Sequence, residues 1–337
     1  MSENSEENKP HALLVDEQEE PSTLDNETAK SSGISGRIKE IAEKGKKVAR
    51  DRKRQALLTD GQLTLWGDSM RGVPNEIVRS ALFTAKNRNQ PRENLKRAVV
   101  AVIGDGEILY TGEELRQDDE TVWLQLIHLA REHGLTTPFQ FTPYRFCKEV
   151  NWPLTGQSYD RLDRCMTRLQ ATSLKVNSKR LGNEVSLSML PGYKCKRAKD
   201  NKGDGGLWTV RMHDELVFLF SEAQYTRVEW ERRLSLPEGL ATWLHAYYAS
   251  HRRPFTVKIE TLAVGAGLMS ENPEDSELDD IARTAKHKER LRDVKKLIKS
   301  ALQALKNSGF LADFEVTRKG LVIVRRYVEG DSPSPIR

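Results

Sequence analysis

The longest amphipathic pattern in the chain lies between Asp279 and Ser308 and predicts a single long helix. Its apolar positions recur at three- and four-residue steps, and they are Leu291, Val294, Leu297, Ile298, Ala301, Leu302 and Leu305. Residues 283–290 are polar and mostly basic, so this half of the helix has no apolar stripe to bury. Ser308-Gly309 supplies the predicted stop, because glycine adopts the left-handed cap conformation without steric cost. A helix of this form can lie in a DNA major groove, although a solvated charged face gives the same pattern.

Between residues 73 and 232 the pattern predicts a first domain of mixed helices and strands. The predicted elements are strands at 99–103 and 108–110, a helix at 120–133, a strand at Phe139–Phe141, a helix opened by Pro143, a helix at 158–171, and strands at 174–176, 185–190 and 207–212. Basic loops at 179–183 and 194–206 join the last strands. Helix, short strand, helix, helix and β ribbon is the element order of a winged helix.

The same element order recurs between residues 233 and 328. The predicted elements are a helix opened by Pro237, a strand at Phe255–Val257, a helix at 259–268, the long basic helix, and a hairpin of 314–316 with 321–324 that turns at Arg318-Lys319-Gly320. The aromatic residues Trp123, Trp243 and Phe255 are assigned to the core. The sequence therefore predicts an α+β fold class with two tandem winged-helix domains.

The first sixty residues carry too few apolar positions for a core of their own. Residues 1–36 are acidic and polar, which predicts a disordered tail. Nine basic residues follow between Arg37 and Arg54, and they suit either sequence-independent phosphate binding or a solvated tail. In residues 61–72, Gln62-Leu63-Thr64-Leu65-Trp66 is an apolar cluster in polar surroundings. Such a cluster packs on the protein's own core or docks in a partner's pocket. Residues 329–337 form a C-terminal tail.

Charge is unevenly distributed along the 337 residues. Charged residues make up 31% and the net charge is +5, but acidic residues are concentrated in the first thirty positions. The remainder is therefore more basic than the total, which favours phosphate-binding surfaces. Cys147, Cys165 and Cys195 lack metal-ligand spacing and predict reduced core thiols. No stretch is long and apolar enough for a membrane span, so we expect a cytoplasmic protein without a membrane partner.

The sequence lacks the motifs of common catalytic and cofactor sites. No G-x-x-x-x-G-K-[ST] occurs, which argues against a P-loop nucleotide switch. No His-x-His or H-E-x-x-H pair occurs, so adjacent Tyr247 and Tyr248 are assigned to the core and surface of a helix rather than to a nickase nucleophile. His213-Asp214-Glu215 is assigned to a turn at a strand end. We expect no enzyme activity, no metal and no cofactor.

Several short stretches resemble the TrfA-type replication initiators of broad-host-range plasmids. They are Arg79-Ser80-Ala81-Leu82-Phe83-Thr84, Tyr110-Thr111-Gly112, Glu114-Leu115-Arg116, Arg168-Leu169-Gln170-Ala171-Thr172, Tyr225-Thr226 with Trp230-Glu231, and Ser250-His251-Arg252 with Pro254. The resemblance covers about residues 62 to 325. The region 263–282 is more divergent, and the N-terminal tail does not match.

This resemblance implies a bacterial initiator that binds direct repeats, called iterons, in a plasmid origin and promotes opening of a neighbouring AT-rich segment. The implied partners are double-stranded origin DNA, single-stranded AT-rich DNA, the host initiator, the replicative helicase and the bacterial sliding clamp. A homodimer is implied as the inactive form, in equilibrium with an active monomer. The family's clamp-binding motif is of the Q-L-[ST]-L-F type, and Gln62, Leu63, Leu65 and Trp66 match it with tryptophan in place of phenylalanine.

The DNA-binding residues that we predict lie in both domains. In the second domain they are Arg283, Lys286, His287, Lys288 and Arg290 toward the groove, with Arg292 and Lys295 nearer the DNA backbone. In the first domain they are Arg161, Arg164 and Arg168 on one helix, with Lys179 and Arg180 in a wing. Arginine can bind guanine in a bidentate manner, whereas lysine more often contacts phosphate.

Two other function classes fit the same domains. A winged-helix transcriptional repressor shares the DNA-binding surface but has no use for a clamp motif. A non-catalytic scaffold, whose basic faces bind acidic proteins, does not protect specific DNA. The clamp-type motif and the family-like stretches favour the initiator.

Overall fold

The computed structural model describes residues 66–104, 106–135, 137–178, 184–196, 206–220, 225–269 and 280–327, together with ten positions between 37 and 52. The chain divides into two compact units, residues 1–55 and residues 56–337. In the first unit the described positions are helical and exposed, and Lys44 Nζ lies 2.8 Å from Glu40 Oε1. Exposure of these positions agrees with a basic segment that has little apolar surface to bury. The predicted disordered segment 1–36 lies outside the described residues.

The second unit contains two hydrophobic cores, and we name its halves the first lobe (residues 66–235) and the second lobe (residues 236–327). The elements of the first lobe are β1 (Met70–Pro74), α1 (Asn75–Val78), β2 (Phe83–Thr84), β3 (Asn94–Val100), β4 (Glu107–Glu113), β5 (Leu115–Arg116), α2 (Gln117–His133), β6 (Phe139–Phe141), α3 (Pro143–Glu149), α4 (Gly156–Gln170), β7 (Ser173–Asn177), β8 (Val185–Leu187), β9 (Gly192–Lys196), β10 (Leu207–Arg211), α5 (Leu216–Leu219), β11 (Tyr225–Glu229) and α6 (Trp230–Ser235). Those of the second lobe are α7 (Leu240–Ala249), β12 (Val257–Lys258), α8 (Ile259–Gly265), α9 (Asp280–Asn307), β13 (Leu311–Val316) and β14 (Leu321–Arg326).

Two three-stranded antiparallel sheets have equivalent strand orders in the two lobes. In the first lobe β10 lies between β6 and β9, with Trp208 opposite both Phe141 and Cys195. In the second lobe β14 lies between β12 and β13, with Val322 opposite both Val257 and Val316. Each sheet's first strand follows one helix and precedes two. The predicted repeat of element order therefore extends to strand pairing.

The first lobe also contains strand pairs that the sequence pattern did not predict. The hairpin β7–β8 joins a separate four-stranded sheet of order β3-β4-β7-β8. Strand β9 occupies part of the predicted loop 194–206, and β1 pairs with the distant β11. Its register places Gly72 opposite Arg227. For β1 and β11 a pairing partner far away in sequence, rather than local periodicity, defines the strand.

The long helix α9 confirms the amphipathic prediction at its C-terminal half. Val294, Ile298 and Leu302 are buried in the second core, whereas Leu297, which was predicted for the same stripe, is 53% exposed. The helix ends in a Schellman motif, because Phe310 N–H donates to Leu305 O and Gly309 N–H donates to Lys306 O, each at 3.0 Å. Gly309 has φ +73°, the left-handed conformation that the predicted stop requires.

Several core assignments are confirmed, three are corrected, and one helix begins later than predicted. Trp123 and Trp243 are buried, but Phe255, which precedes β12, is 54% exposed and makes a T-shaped contact with the His251 ring. Tyr248 is buried like Tyr247, since α7 has core on both sides. Cys147 and Cys165 are buried, whereas Cys195 is exposed on the edge strand β9. Pro237 precedes α7, which begins at Leu240 after Gly239.

The two lobes are joined by hydrogen bonds as well as by apolar packing. Ala85 N–H donates to Ala266 O at 2.8 Å, and Trp243 Nε1–H donates to Ser80 O at 3.2 Å. The guanidinium of Arg79 donates to the hydroxyl and the carbonyl of Ser250. These bonds fix the second lobe against the segment 79–85, so the lobes form one body.

We expect Gly309→Ala to lower the free energy of unfolding by about 1 kcal/mol, because an L-residue in the left-handed conformation costs about this much. Urea unfolding measures the effect. Gly156→Ala at the start of α4 is the matched control, since no atom lies within 4 Å of the added Cβ. The control change is expected to stay below about 0.5 kcal/mol. Equal losses in both variants would contradict the proposed role of the cap.

Candidate nucleic-acid interface

An exposed basic stripe runs along α9 on a different side from its buried face. Lys288, Arg292 and Lys299 recur at steps of four and seven residues, and all three are exposed. None of them has an ion-pair partner among the described residues. Uncompensated cations at this spacing offer a row of donors to phosphate oxygens. The sequence prediction included Lys288 and Arg292 but missed Lys299, although continuing the same helical spacing would have found it.

Lys295 connects this helix to the turn between β13 and β14. Its Nζ donates to Thr317 O at 3.3 Å. Arg318 and Lys319 follow in the turn, and both are exposed. Gly320 has φ +77° and its N–H donates to Thr317 O at 3.2 Å, so the turn is closed at that carbonyl. Lys295, which we predicted near the DNA backbone, therefore positions the turn, and Arg318 and Lys319 extend the basic surface.

The remaining predicted residues of α9 have different environments. His287 is exposed and lies seven residues before Val294, on the stripe that is buried farther along the helix. Lys286 and Arg290 are half-buried and take part in interactions within the chain. The side chain of Arg283 lies outside the described residues. The exposed stripe is thus centred nearer Lys288 and Arg292 than the predicted groove-facing set.

Two of the three arginines predicted on α4 form ion pairs inside the protein. Arg168 Nη2 lies 2.7 Å from Asp119 Oδ1. Arg161 Nη2 donates to Glu238 Oε2 at 2.6 Å, and its guanidinium stacks on Trp152 at 3.9 Å. Only Arg164 is exposed.

The exposed side of α4 also carries acidic residues. Asp160 and Asp163 are exposed beside Arg164. A surface cavity of about 780 Å³ brings the three predicted arginines together, but Glu113, Asp118 and Asp160 line it as well. Arg88 and Arg92 line it too, so the carboxylates reduce the positive charge of the cavity without cancelling it.

Asp118 and Asp119 in the first turn of α2 are the carboxylates that hold this network. Arg92 donates to Asp119 Oδ2 at 2.7 Å and to Asp118 Oδ1 at 3.0 Å. Burial favours a higher pKa for Asp118, but Arg92, Arg161 and Arg168 together lower it below the ordinary value. Burial and the neighbouring charge of Asp118 raise the pKa of Asp119.

Asp118, Asp119 and Cys165 also form a group with metal-ligand chemistry. Their ligand-type atoms lie within 4.8 Å of one another. Arg92 and Arg168 already bind the carboxylates, and burial raises the pKa of the Cys165 thiol well above its ordinary value. A guanidinium-bound pair of carboxylates with a protonated thiol is a poor cation site.

The wing predicted for the first lobe, with Lys179 and Arg180, lies outside the described residues. By strand pairing, the hairpin in the position of β13–β14 is β9–β10. Lys194 and Lys196 are exposed on β9. Sequence reasoning missed them as binding candidates because their strand was assigned to a loop.

The residues considered for catalysis have structural environments. The segment His213-Asp214-Glu215 forms a turn in which Glu215 N–H donates to His213 Nδ1 at 3.2 Å, and Arg211 binds Asp214 at 3.0 Å. Burial raises the pKa of Tyr247 to about 12 and also raises that of Tyr248. Buried phenols of this kind are poor nucleophiles.

Trp66, the last residue of the predicted clamp motif, is packed on the protein's own core. It is 3% exposed and lies beside Phe220 and Tyr225, with ring centroids at 5.7 and 5.2 Å. The sequence leaves two alternatives for this apolar cluster, which are the protein's own core and a partner's pocket. In the structure Trp66 packs on the core. Gln62, Leu63 and Leu65 lie outside the described residues.

No helix among the described residues combines the length and apolar character needed to cross a membrane.

Comparisons with known proteins identify a family and a relative to which this chain is similar. Residues 30–308 match the family described as TrfA protein. Over 204 residues the chain is 37% identical to the plasmid replication initiator protein TrfA of Escherichia coli, covering 60% of this chain and 52% of that protein. The chain thus aligns with about half the length of this relative.

Two solved structures show a distant resemblance. The structure of RctB domains 2-3 has a TM-score of 0.46 at 12% identity and covers 74% of this chain and 94% of that chain. The Pi initiator protein in complex with iteron DNA has a TM-score of 0.42 at 12% identity and covers 65% of this chain and 97% of that chain. Similarity at this level transfers neither fold nor function.

We expect Arg168→Ala to lower the free energy of unfolding by roughly 3 to 5 kcal/mol, because it removes one partner of a buried ion pair. Arg164→Ala on the same helix is the matched control, with an expected change below about 0.5 kcal/mol. Guanidinium unfolding of both variants tests the network. A small loss for Arg168→Ala would contradict its structural role.

Proposed function

This chain belongs to the TrfA protein family, and we propose that it is a plasmid replication initiator that binds iterons at its origin. We also propose that its lobes are two tandem winged-helix domains. The sheets β6-β10-β9 and β12-β14-β13 have equivalent strand orders, and in each lobe the first strand follows one helix and precedes two. Both features support this architecture. The family assignment and the basic surface of the second lobe are independent arguments for DNA binding.

The observation that carries the proposal is the basic surface formed by α9 and the β13–β14 turn. In this proposal α9 lies in the major groove of the duplex, and the β13–β14 turn contacts the flanking DNA backbone. Arg292 can donate two parallel hydrogen bonds to guanine, whereas Lys288 and Lys299 suit phosphates. The Lys295 link to Thr317 holds the two parts in one orientation. The second lobe is therefore the main recognition module.

The first lobe makes a smaller contribution to DNA binding in this proposal. Arg164 is the predicted arginine of α4 that is exposed, and acidic residues stand beside it. Lys194 and Lys196 on β9 add positive charge near the hairpin that corresponds to β13–β14. These groups suit sequence-independent phosphate contacts, which position a protein on DNA without reading bases.

Origin opening requires partners, because the sequence has no P-loop for an ATPase of its own. The proposed partners are the host initiator, the replicative helicase and the sliding clamp, which binds through Gln62, Leu63, Leu65 and Trp66. Exposed AT-rich single-stranded DNA is a further proposed ligand. The proposed assembly cycle uses the monomer at the origin and the homodimer as the inactive form.

A DNase footprint across the replicon that encodes the chain tests the proposal. Evenly spaced protection of direct repeats beside an AT-rich tract is the expected result. A single protected palindrome at a promoter would instead indicate a repressor. Absence of any specific protection would overturn DNA recognition altogether.

We expect Lys288→Ala combined with Arg292→Ala to weaken iteron binding by roughly 2 kcal/mol, because a base contact and a phosphate contact are lost. The slope of log affinity against log salt should become shallower by about 0.9 for each phosphate contact removed. Fluorescence anisotropy at several salt concentrations measures both. Lys306→Ala near the end of α9, where Lys306 binds Asp313 at 2.8 Å, is the control with unchanged affinity.

We expect Leu65→Ala with Trp66→Ala to weaken clamp binding at least about tenfold, because anchors that fill apolar pockets dominate such interfaces. Surface plasmon resonance on immobilised clamp measures the affinity. Thr59→Ala, upstream of the motif, is the control. Duplex DNA affinity should stay unchanged in both variants, and full clamp retention would show that this stretch is not the contact.

A further inference from the structure

Trp66 lies in an apolar pocket that the folded part of the chain provides. Its ring contacts Phe220, which follows α5, and Tyr225 at the start of β11. These two rings also pack on each other, with centroids 5.8 Å apart. Two aromatic rings that contact each other therefore form one side of the pocket around the indole.

Gly72 in β1 forms another wall of the pocket. A Cβ built at this position would lie 2.6 Å from Cε3 of Trp66, and two further ring atoms would be closer still. Real Cβ contacts do not reach such distances. The bound position of the indole therefore requires glycine at residue 72, for close approach rather than for backbone conformation.

Polar contacts hold the backbone beside the indole. The guanidinium of Arg131 donates to Trp66 O and to the Asp68 carboxylate. The indole N–H itself is buried and has no hydrogen-bond partner among the described residues. An unsatisfied buried donor makes the docked state less stable than a fully bonded one. The pocket thus retains Trp66 by shape and by the Arg131 contacts, but with an energetic penalty.

We propose that Trp66 has two alternative receptors, this pocket in its own first lobe and the apolar pocket of the sliding clamp. The inference rests on the proposed clamp contact of residues 62–66. A side chain that is 3% exposed in one pocket cannot fill another at the same time. Clamp binding then requires Trp66 to leave the pocket in the first lobe. The measured clamp affinity equals the intrinsic affinity multiplied by the fraction of molecules in which Trp66 is undocked.

The geometry also defines the partner's part in the exchange. The clamp must supply an aromatic-sized apolar pocket, because the indole leaves Phe220 and Tyr225 for it. A hydrogen-bond acceptor for the unsatisfied indole N–H, such as a carbonyl, favours the transfer further. The pocket in the first lobe therefore competes with the clamp for Trp66, and it belongs to the same chain as Trp66.

Gly72→Ala in the full chain tests the inference, because the added methyl group excludes the docked indole without changing residues 62–66. We expect faster hydrogen exchange of the 66–68 amides and at least about tenfold tighter clamp binding. Arg131→Gln, which removes the backbone contacts and leaves the pocket walls intact, is the second variant and should change both quantities in the same direction. Arg145→Gln on α3, whose partner Glu149 lies on the same helix, is the control with neither change.

The outcomes separate the inference from the function on which it rests. Suppose that amide exchange becomes faster but clamp affinity stays unchanged, while Leu65→Ala still abolishes clamp binding. This result would overturn the competition and leave the clamp contact standing. Unchanged exchange in both variants would show that the pocket does not retain Trp66. Clamp binding that survives Leu65→Ala with Trp66→Ala would overturn the clamp contact and the competition together.

Discussion

The first turn of α2 is the constraint on which the rest of the structure depends. Gln117, Asp118, Asp119 and Glu120 are four consecutive buried polar residues, and each must find partners because unpaired buried charges are very costly. The partners arrive from distant parts of the chain, and they are Arg92, Arg168 from α4, Arg233 from α6 and Thr242 from α7. Satisfying this turn therefore places the other elements of both lobes.

Dependence on partners that are distant in sequence explains which features the sequence could predict and which it could not. Helix α9 and its end at Gly309 follow from local periodicity and one residue's conformational freedom, both visible in the sequence. The role of Arg168 is not visible, because its partner Asp119 is 49 residues away and a regular row of arginines looks the same whether solvated or paired. Strands β1 and β11 escape prediction for the same reason. The sequence leaves two alternatives for Trp66, because a lone apolar cluster does not specify which pocket it fills.

The two lobes share strand pairing but present different surfaces. On α9 the cations of the exposed stripe form no ion pair among the described residues, and the nearby Asp293 binds Lys296 instead. On α4 the equivalent helix carries Asp160 and Asp163 outward and directs two arginines inward. The arginines of α4 thus serve internal cohesion, whereas the exposed cations of α9 remain available for the polyanion of the proposed function. Duplication of a fold does not duplicate the chemistry of its exposed positions.

In the proposed DNA complex, the hydrogen bond from Lys295 to Thr317 has a consequence for how specificity can change. A turn tied to the helix loses little conformational freedom when DNA binds, so its contacts contribute nearly their full strength. The distance between the base-reading side chains and the backbone contact is also fixed. New target sequences can then be reached by exchanging side chains on α9, while the phosphate-to-base spacing remains constant. Relatives that keep this link should differ in the bases they prefer but not in the length of DNA that one second lobe covers.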